Sequence, residues 1–371
     1  SLIFTAPVID VSSSMLNMNQ EDSFYPVQRF DRQQIQNTNG SRISDVLQRA
    51  GNVFIKSYGG LSSLKTISVN GMNAEHTLIL LNGARLNSIQ NSQFDLSLIT
   101  IENIESIDVI PSGSSSYFGS DALSGVVNIS TFAHIDNSVS GRFGAGLTLN
   151  TGSYNYRSAV MTLKYEKRNY NIKAAFNTEK TDDDFGYYYF NGFQNIFKRR
   201  ENNSLERNNL LVQYSYGSKN GVLNIMTLYN SVSRQIPGLE IGSAPMNASQ
   251  KDKIWSNVLN YEHKFSGGDI LRAAVNFQNY LMNYLSLPFD NSYYKNLTSG
   301  FSLSYQLKAA EMKYLAGAEI FSGTIQSNEL EDGNKRFSAA VFTNLEYSPA
   351  DNIRVFPSLR FENITDIKKN V

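Results

Sequence analysis

The chain has 371 residues, with Lys+Arg and Asp+Glu balanced at 33 each, 21 Tyr, 22 Phe, one Trp and no Cys. Balanced charge supplies no field aimed at nucleic acid or an anionic surface, and the absence of cysteine excludes a disulfide framework, a zinc-finger spacing and a thiol nucleophile. No apolar run approaches the roughly 18–20 residues of a spanning helix, which excludes a helical membrane protein. A membrane β-barrel stays open, because half of each barrel strand faces a wet lumen and the hydropathy averages out.

Residues 1–23 are polar, rich in Ser and Asn and without periodicity, which predicts a mobile tail. They open on Ser1-Leu2-Ile3-Phe4, without a basic n-region or a small-x-small site, so an export signal is expected to have been removed or not included. Phe24 to Phe30 predicts a short strand, with Asp31 capping the turn after it. Asn39 or Ser41 can cap a helix whose apolar face is Ile43, Val46, Leu47 and Ala50, stopped by Gly51. Leu64 to Val69 alternates as a strand and turns at Asn70-Gly71. Thr77 to Leu81 is a continuous apolar run, hence a strand buried on both faces, closed by the hairpin signal Asn82-Gly83. Ile104 to Ile110 and Val126 to Thr131 complete a small mixed α/β unit, with a Ser- and Gly-rich loop from Pro111 to Gly119 between them.

From Val139 the period becomes two. Val139, Gly141, Phe143, Ala145, Leu147 and Leu149 alternate with Ser140, Arg142, Gly144, Gly146, Thr148 and Asn150. The rhythm returns in Ala159–Tyr165, Leu271–Phe277, Phe301–Leu307, Met312–Ile320, Phe337–Tyr347 and Ile353–Phe361. Each run is about ten residues, the length a tilted strand needs to cross a bilayer, and about eleven such strands fit the chain. Short turns near 168–169, 217–220, 266–269, 309–311 and 348–351 alternate with longer polar or aromatic loops near 181–206, 233–250, 284–297 and 326–335. A membrane barrel predicts that sorting, with tight periplasmic turns and long outer loops. A soluble sandwich has no reason for it. An odd strand count, with no aromatic C-terminal residue, leads to the expectation that the chain is part of a longer one, about half of a ~22-stranded barrel. The expected organisation is a tail over 1–23, an α/β domain over 24–135 and a barrel portion over 136–371.

The α/β segment carries a family resemblance. Ile43-Ser44-Asp45-Val46-Leu47 and the run from Val69 to Asn87 resemble the plug of TonB-dependent outer-membrane receptors. Ile101 to Ile110 is similar to that family's I-E-x-I-E-V-I strand, and Tyr117-Phe118-Gly119-Ser120-Asp121-Ala122-Leu123-Ser124-Gly125-Val126-Val127-Asn128-Ile129 to its Y-G-S-x-A-x-G-G-V-I-N-I ending. The barrel resemblance is looser, resting on strand rhythm and fragments such as Arg234-Gln235-Ile236-Pro237-Gly238; the cobalamin receptors look nearest.

The resemblance implies an outer-membrane protein of a Gram-negative-type bacterium that imports a scarce small molecule, cobalamin or a ferric siderophore. The outward tips of the plug, Ser57–Leu61, Met72–His76 and Asn87–Phe94, would form the ligand site with the long loops, offering Tyr58, Asn73, His76, Asn87, Asn91 and Gln93. Solvated polar turns are the plainer reading of each. Many members carry arginine where this chain has Asn70 and Pro111, so the resemblance implies a plug without that electrostatic lock, Arg85 alone remaining. It also implies a segment that adds as a strand to TonB, which works with ExbB and ExbD at the inner membrane. Val8-Ile9-Asp10-Val11 is the candidate, against a chance apolar patch in a tail.

No cofactor is implied beyond loop calcium, as in the cobalamin receptors. Asp182-Asp183-Asp184 is the dense carboxylate cluster that could hold it, although its spacing is not that of an EF-hand and a solvated loop tip explains it as well. Enzyme readings lack support: there is no G-x-S-x-G, H-E-x-x-H, GK[ST] or G-x-G-x-x-G, and His76, His134 and His263 are far apart. The alternatives to an energised transporter are a passive porin, which needs no plug, a surface receptor that binds without transport, and a secreted β-rich carbohydrate-binding or hydrolytic protein.

Overall fold

The computed structural model describes residues 27–38, 42–61, 63–111, 115–132, 135, 140–190, 192–238, 247–286, 290–309, 312–330, 334–350 and 353–367. Strand β1 (Gln28–Asp31) leads into the one-turn helix α1 (Arg32–Gln36). Asp31 caps it: its carboxylate accepts the Gln34 N–H at 2.8 Å, and the Gln34 side chain accepts the Asp31 N–H at 2.9 Å. The box satisfies two donors that a helix start leaves open. Helix α2 (Ile43–Leu47) is shorter than its apolar spacing predicts, and it is capped at Arg42 instead of Asn39 or Ser41. The Arg42 N–H donates to the Asp45 carboxylate at 3.2 Å.

Strand β2 (Val53–Ser57) pairs antiparallel with β3 (Lys65–Val69). The sequence does not announce β2, because Ile55 is its one buried side chain and no alternation results. Strand β4 (Thr77–Leu81) turns through Asn82 and Gly83, at φ 50° and 82°, into β5 (Ala84–Arg85). After β6 (Ser106–Pro111), the one-turn helix α3 (Ser115–Phe118) occupies the Ser- and Gly-rich stretch read as loop, and β7 (Gly125–Ser130) follows. The sheet order is β1-β6-β7-β4-β5, with β4 parallel to β7.

All five side chains of β4 are buried, as its unbroken apolar run predicts. Ile79 and Leu81 join one core with α2, Leu96, Leu98 and the β10–β15 side of the surrounding wall; Leu78 and Leu80 join another with Tyr117, Phe118, Leu315 and Phe342. A strand packed on both faces has no polar side to show.

The wall begins with β8 (Arg142–Gly152), β9 (Tyr156–Lys167) and β10 (Tyr170–Thr181). A small separate hairpin, β11 (Gly186–Phe190) and β12 (Asn195–Arg199), stands in the connection that follows. The wall continues with β13 (Leu205–Gly217), β14 (Gly221–Ile236), β15 (Ala248–Lys264), β16 (Ile270–Ser286), β17 (Asp290–Lys308), β18 (Met312–Ser327) and β19 (Asn334–Ala350). Each pairs antiparallel with the next. The short β20 (Ile353–Val355) and β21 (Ser358–Ile367) lie end to end along β19, so the twelve-stranded sheet has eleven tracks, twelve less the one shared.

The strands of 11 to 19 residues (β8 and β17) exceed the expected ten. Beyond the apolar band they keep pairing as polar ribbons: β16 and β17 stay in register to Ser286 and Asp290, so most of the loop expected at 284–297 is hairpin. Apolar alternation ends where the bilayer would, but backbone pairing does not need an apolar side chain to continue.

The wall is inside out relative to a soluble protein. Met161, Phe176, Leu210, Ile225, Leu259, Val275, Phe301 and Ile320 are exposed on its convex face, while Glu179, Arg207, Gln213, Asn224, Arg234, Asp252 and Asn260 are buried on its concave face. At the short-turn end, the rings of Tyr261, His263, Phe265 and Tyr305 follow one another at 4.7–6.4 Å between centroids, forming an aromatic row.

Candidate ligand-binding site

Much of the polar lining of the concave face meets the α/β unit directly. Arg42, the N-cap of α2, donates from both terminal nitrogens to Glu179 of β10, and Arg207 of β13 reaches the same carboxylate at 2.8 Å. Arg207 also donates to the Ser97 carbonyl in the 3-10 turn Leu96–Leu98. Arg234 of β14 lies 2.7 Å from Asp95, which caps that turn, and 3.3 Å from Asp252 of β15. Gln213 donates to Thr131 at 2.6 Å, and Asn260 to the Asn82 carbonyl at 3.0 Å.

A second anchor lies on the β18–β21 side. The Tyr117 ring meets Phe342 edge-on at 5.2 Å, and Arg360 donates to the Tyr117 carbonyl at 3.1 Å. Arg360 also pairs with Glu319 at 2.9 Å and Glu362 at 3.0 Å. Gly119, at φ 90°, threads between Arg85 and Arg360; a Cβ there would come within 3.1–3.2 Å of both guanidinium groups. The unit is therefore held electrostatically even though Asn70 stands where the resemblance leads one to expect arginine. Its charges toward the wall are carried by Arg42, Asp95 and Glu105, answered by Glu179, Arg234 and Lys173, while Arg85 pairs within the unit with Asp121.

Where the unit's outward end approaches the wall, a cavity of about 670 Å³ remains. The apical loop supplies Tyr58, Gly59, Gly60, Ser63 and Leu64; the connection around the small hairpin supplies Phe185, Tyr187, Arg200 and Asn203; β14 and β15 supply Arg234 and Gln250. Arg234 and Gln250 are direct cross-strand partners, which puts both side chains on the concave face. The apical loop is pinned by Asp183, whose carboxylate accepts the Leu61 N–H at 3.1 Å and the Asn203 amide at 3.0 Å. The lining is mostly apolar, with Leu64, Ile236 and Pro237 beside the aromatic rings, two guanidinium groups (Arg200 and Arg234) and amides at its edge. Such a surface stacks planar groups and pairs with negative charge.

Of the residues read from the sequence, Tyr58 lines this cavity, with the Lys56 ammonium 4.8 Å from its ring centroid. Asn73, Asn91 and Gln93 lie on neighbouring apical turns. Glu75 ties two of those turns together, accepting the Asn73 amide at 3.1 Å and the Gln93 amide at 3.3 Å. The Glu75 carboxyl is held below the usual carboxylate range by its own backbone N–H and then by those two amides, against some desolvation. His76 ends a 3-10 turn, and its carbonyl accepts from Ser124. The Asn87 amide serves the backbone, accepting the Ile79 N–H at 2.7 Å and donating to the Thr77 and Ser92 carbonyls at 2.9 and 2.7 Å.

Asp182, Asp183 and Asp184 turn apart: Asp182 accepts the Asn155 amide, Asp183 holds the apical loop, and Asp184 pairs with Arg199 at 2.8 Å. Among the described residues no group of three or more His, Cys, Asp or Glu side chains converges as a metal site. Val8, Ile9, Asp10 and Val11 lie outside the described residues. Sequence reasoning missed Phe185, Tyr187, Arg200, Arg234 and Gln250. For Arg234 a signal was present: it falls on the inward phase set by Asn230 and Val232, where a cation needs a partner.

Comparison with known proteins agrees with this architecture. Residues 19–126 match the model of the TonB-dependent receptor plug domain. Among solved structures, the siderophore receptor PirA of Acinetobacter baumannii superimposes with a TM-score of 0.69 at 14% identity, covering 93% of this chain and 57% of its own. The ferric-catecholate import receptor Fiu of E. coli K12 gives 0.68 at 13% identity over 97% of this chain and 63% of its own. The copper transporter OprC gives 0.70 at 15% identity over 92% and 55%. The chain thus spans 52–63% of the length of the solved chains it matches. It carries the plug of the TonB-dependent receptors, set within a wall of their barrel fold.

Proposed function

We propose that this chain belongs to an energised transporter of the outer membrane of a Gram-negative-type bacterium, which binds a scarce small molecule in the cavity above the plug and admits it when TonB pulls. The observation that carries the reading is that one cavity is lined jointly by plug and wall, by Tyr58 from one and Arg234 from the other. A passive pore gains nothing from a folded domain pinned across its lumen by buried ion pairs. A binding site shared between two bodies, by contrast, is a site that movement of one body can dismantle.

Cobalamin and ferric siderophores are the two ligand classes. The related structures are named for different cargoes on one wall fold, so identity rests on the cavity's side chains. Arg200 and Arg234 beside Tyr58, Phe185 and Tyr187 favour an anionic, ring-bearing iron chelate over cobalamin. Asn73, His76, Asn91 and Gln93 form the apical rim next to it, with Asn87 fixing the rim's shape. The loop carboxylates Asp182 to Asp184 act as latches in this reading, not as a calcium site. The other partners are TonB, with ExbB and ExbD, engaging Val8-Ile9-Asp10-Val11, and the lipid around the convex face.

The test is a titration of the purified protein in detergent, following quenching of tyrosine fluorescence by cobalamin and by several iron chelates, with cellular uptake in parallel. A chelate that quenches, binds Tyr58→Ala about tenfold more weakly (the worth of one stacking contact), and enters cells only while the inner-membrane proton gradient stands would support the reading. Ile9→Pro should abolish uptake and leave binding intact. Uptake that persists without the gradient would make the protein a passive pore and sink the proposal.

A further inference from the structure

The cavity and the plug share one guanidinium. Arg234 lines the cavity, with Nη1 2.7 Å from Oδ2 of Asp95 on the plug and Nη2 3.3 Å from Oδ2 of Asp252 on the neighbouring strand. All three side chains are buried. The two carboxylates depend on Arg234 unequally. Asp252 also accepts the Gln250 amide, at 2.9 and 3.0 Å to its two oxygens, and the Tyr280 hydroxyl at 2.8 Å. Asp95 uses Oδ1 for the N–H groups of Lys65 and Ser97, at 3.0 and 2.9 Å, while among the described residues its Oδ2 has the Arg234 guanidinium as its partner. If the guanidinium withdraws, the wall carboxylate stays satisfied and the plug carboxylate does not.

We propose that Arg234 is the residue through which the occupied cavity acts on the plug. An anionic group in the cavity draws the guanidinium away from Asp95 and so releases the turn at residues 96–98. The inference rests on the cavity being the ligand site. Its physical basis is that a buried carboxylate deprived of its cation is unstable where it stands, so the backbone around it must open to water or move. Asp95 is the brace between Lys65, at the start of β3, and Ser97. The Ser97 carbonyl is in turn held by Arg207, which shares Glu179 with Arg42 at the start of α2. Ion pairs and hydrogen bonds thus run unbroken from the cavity to helix α2 of the plug. A neutral ligand of the same size makes no claim on Arg234 and leaves the chain of contacts alone.

Linkage makes the proposal measurable, since whatever the anion does to the plug the plug must do to anion affinity. The probes are the ferric complex of three catechols, which is anionic, and a ferric trihydroxamate, which is uncharged, each added to the full chain in detergent micelles. The readouts are Kd from tyrosine quenching and amide hydrogen exchange at Lys65 and Ser97. In the unmodified protein the catecholate should speed exchange at both amides and the trihydroxamate should not. Asp95→Asn removes the competitor, so it should bind the catecholate roughly tenfold tighter, within the usual range of coupling, with exchange no longer responding to ligand. Asp252→Asn should keep the response. Arg234→Gln should lose the preference for the anionic complex, and Arg234→Lys, which keeps the charge and checks the fold, should retain part of it.

Catecholate binding that leaves both amides unchanged, or Asp95→Asn binding no tighter, overturns the coupling while the ligand site stands. Failure of both iron complexes to bind removes the cavity assignment and the coupling with it. Uptake that ignores the proton gradient removes only the transport reading.

Discussion

Arg42 on the plug and Glu179 on the wall meet as a two-pronged ion pair, 2.9 Å between Nη1 and Oε2, with both side chains at most 3% exposed. Glu179 answers Arg207 as well, so one carboxylate holds two buried cations. Deleting one partner of a buried pair costs about 3–5 kcal/mol because the other charge remains in place. Arg42→Ala should fall in that range, and Glu179→Ala, which strands two guanidinium groups, should exceed it. Protection of the plug from trypsin in detergent, with the melting temperature beside it, gives the order. Equal losses would show that Arg207 finds compensation elsewhere.

Gly317 of β18 lies beneath the ring of Phe342, and a Cβ there would overlap that ring and stand 2.9 Å from the Leu303 carbonyl. Phe342 is also the ring on which Tyr117 of α3 packs. Gly317→Ala should therefore push Phe342 into the plug and destabilise by about 1–3 kcal/mol, the usual cost of overpacking. Loss of α3 docking, read as faster exchange at residues 115–118, should accompany it. A fall in stability without that exchange would confine the strain to the wall.

Val275 is exposed on the convex face of β16, and its neighbour Asn276 points the other way, toward the plug side. Val275→Arg should cost about 2–4 kcal/mol if the site lies near mid-bilayer. Val275→Leu should be silent. Equilibrium unfolding in urea from lipid vesicles measures both, and an arginine tolerated without loss would place this face in water.

Glu75 bridges the two apical turns through Asn73 and Gln93, and its carboxyl titrates below the ordinary 4.5. A carboxyl whose folded pKa is depressed lends its support in full above the unfolded value and loses it as the pH falls through the folded one. The rim should thus be braced at neutral pH and loosen only in acid below about 4.5. Glu75→Gln should reproduce the acid state at pH 7, seen as faster exchange at residues 73–76 and 91–93. Identical exchange in the variant would mean the turns hold themselves.

The period-two rhythm, the doubly buried Thr77–Leu81 and the Asn-Gly turns were legible in the residues, because each is local: side-chain direction follows from position along one strand. The same locality explains the partial readings. Helix α2 was too short to show its cap, and β2 buries too little to alternate. The hairpin 186–199 pairs within a connection that composition marks only as aromatic loop. Glu179, Arg207 and Arg234 stand on the inward phase of β10, β13 and β14, yet none was assigned a strand from the sequence, and Arg234 fell within the loop expected at 233–250. What they meet depended on strand register, which sets Arg234 opposite Gln250, and on how the plug sits within the wall, which brings Asp95 to the same guanidinium. The chain by itself determined which side of each wall strand is apolar and that the N-terminal unit carries a core of its own. Only the tertiary structure decided which charges pair and where the cavity lies, since a buried ion pair depends on an ångström-scale approach between segments far apart in sequence, and no local pattern encodes that distance.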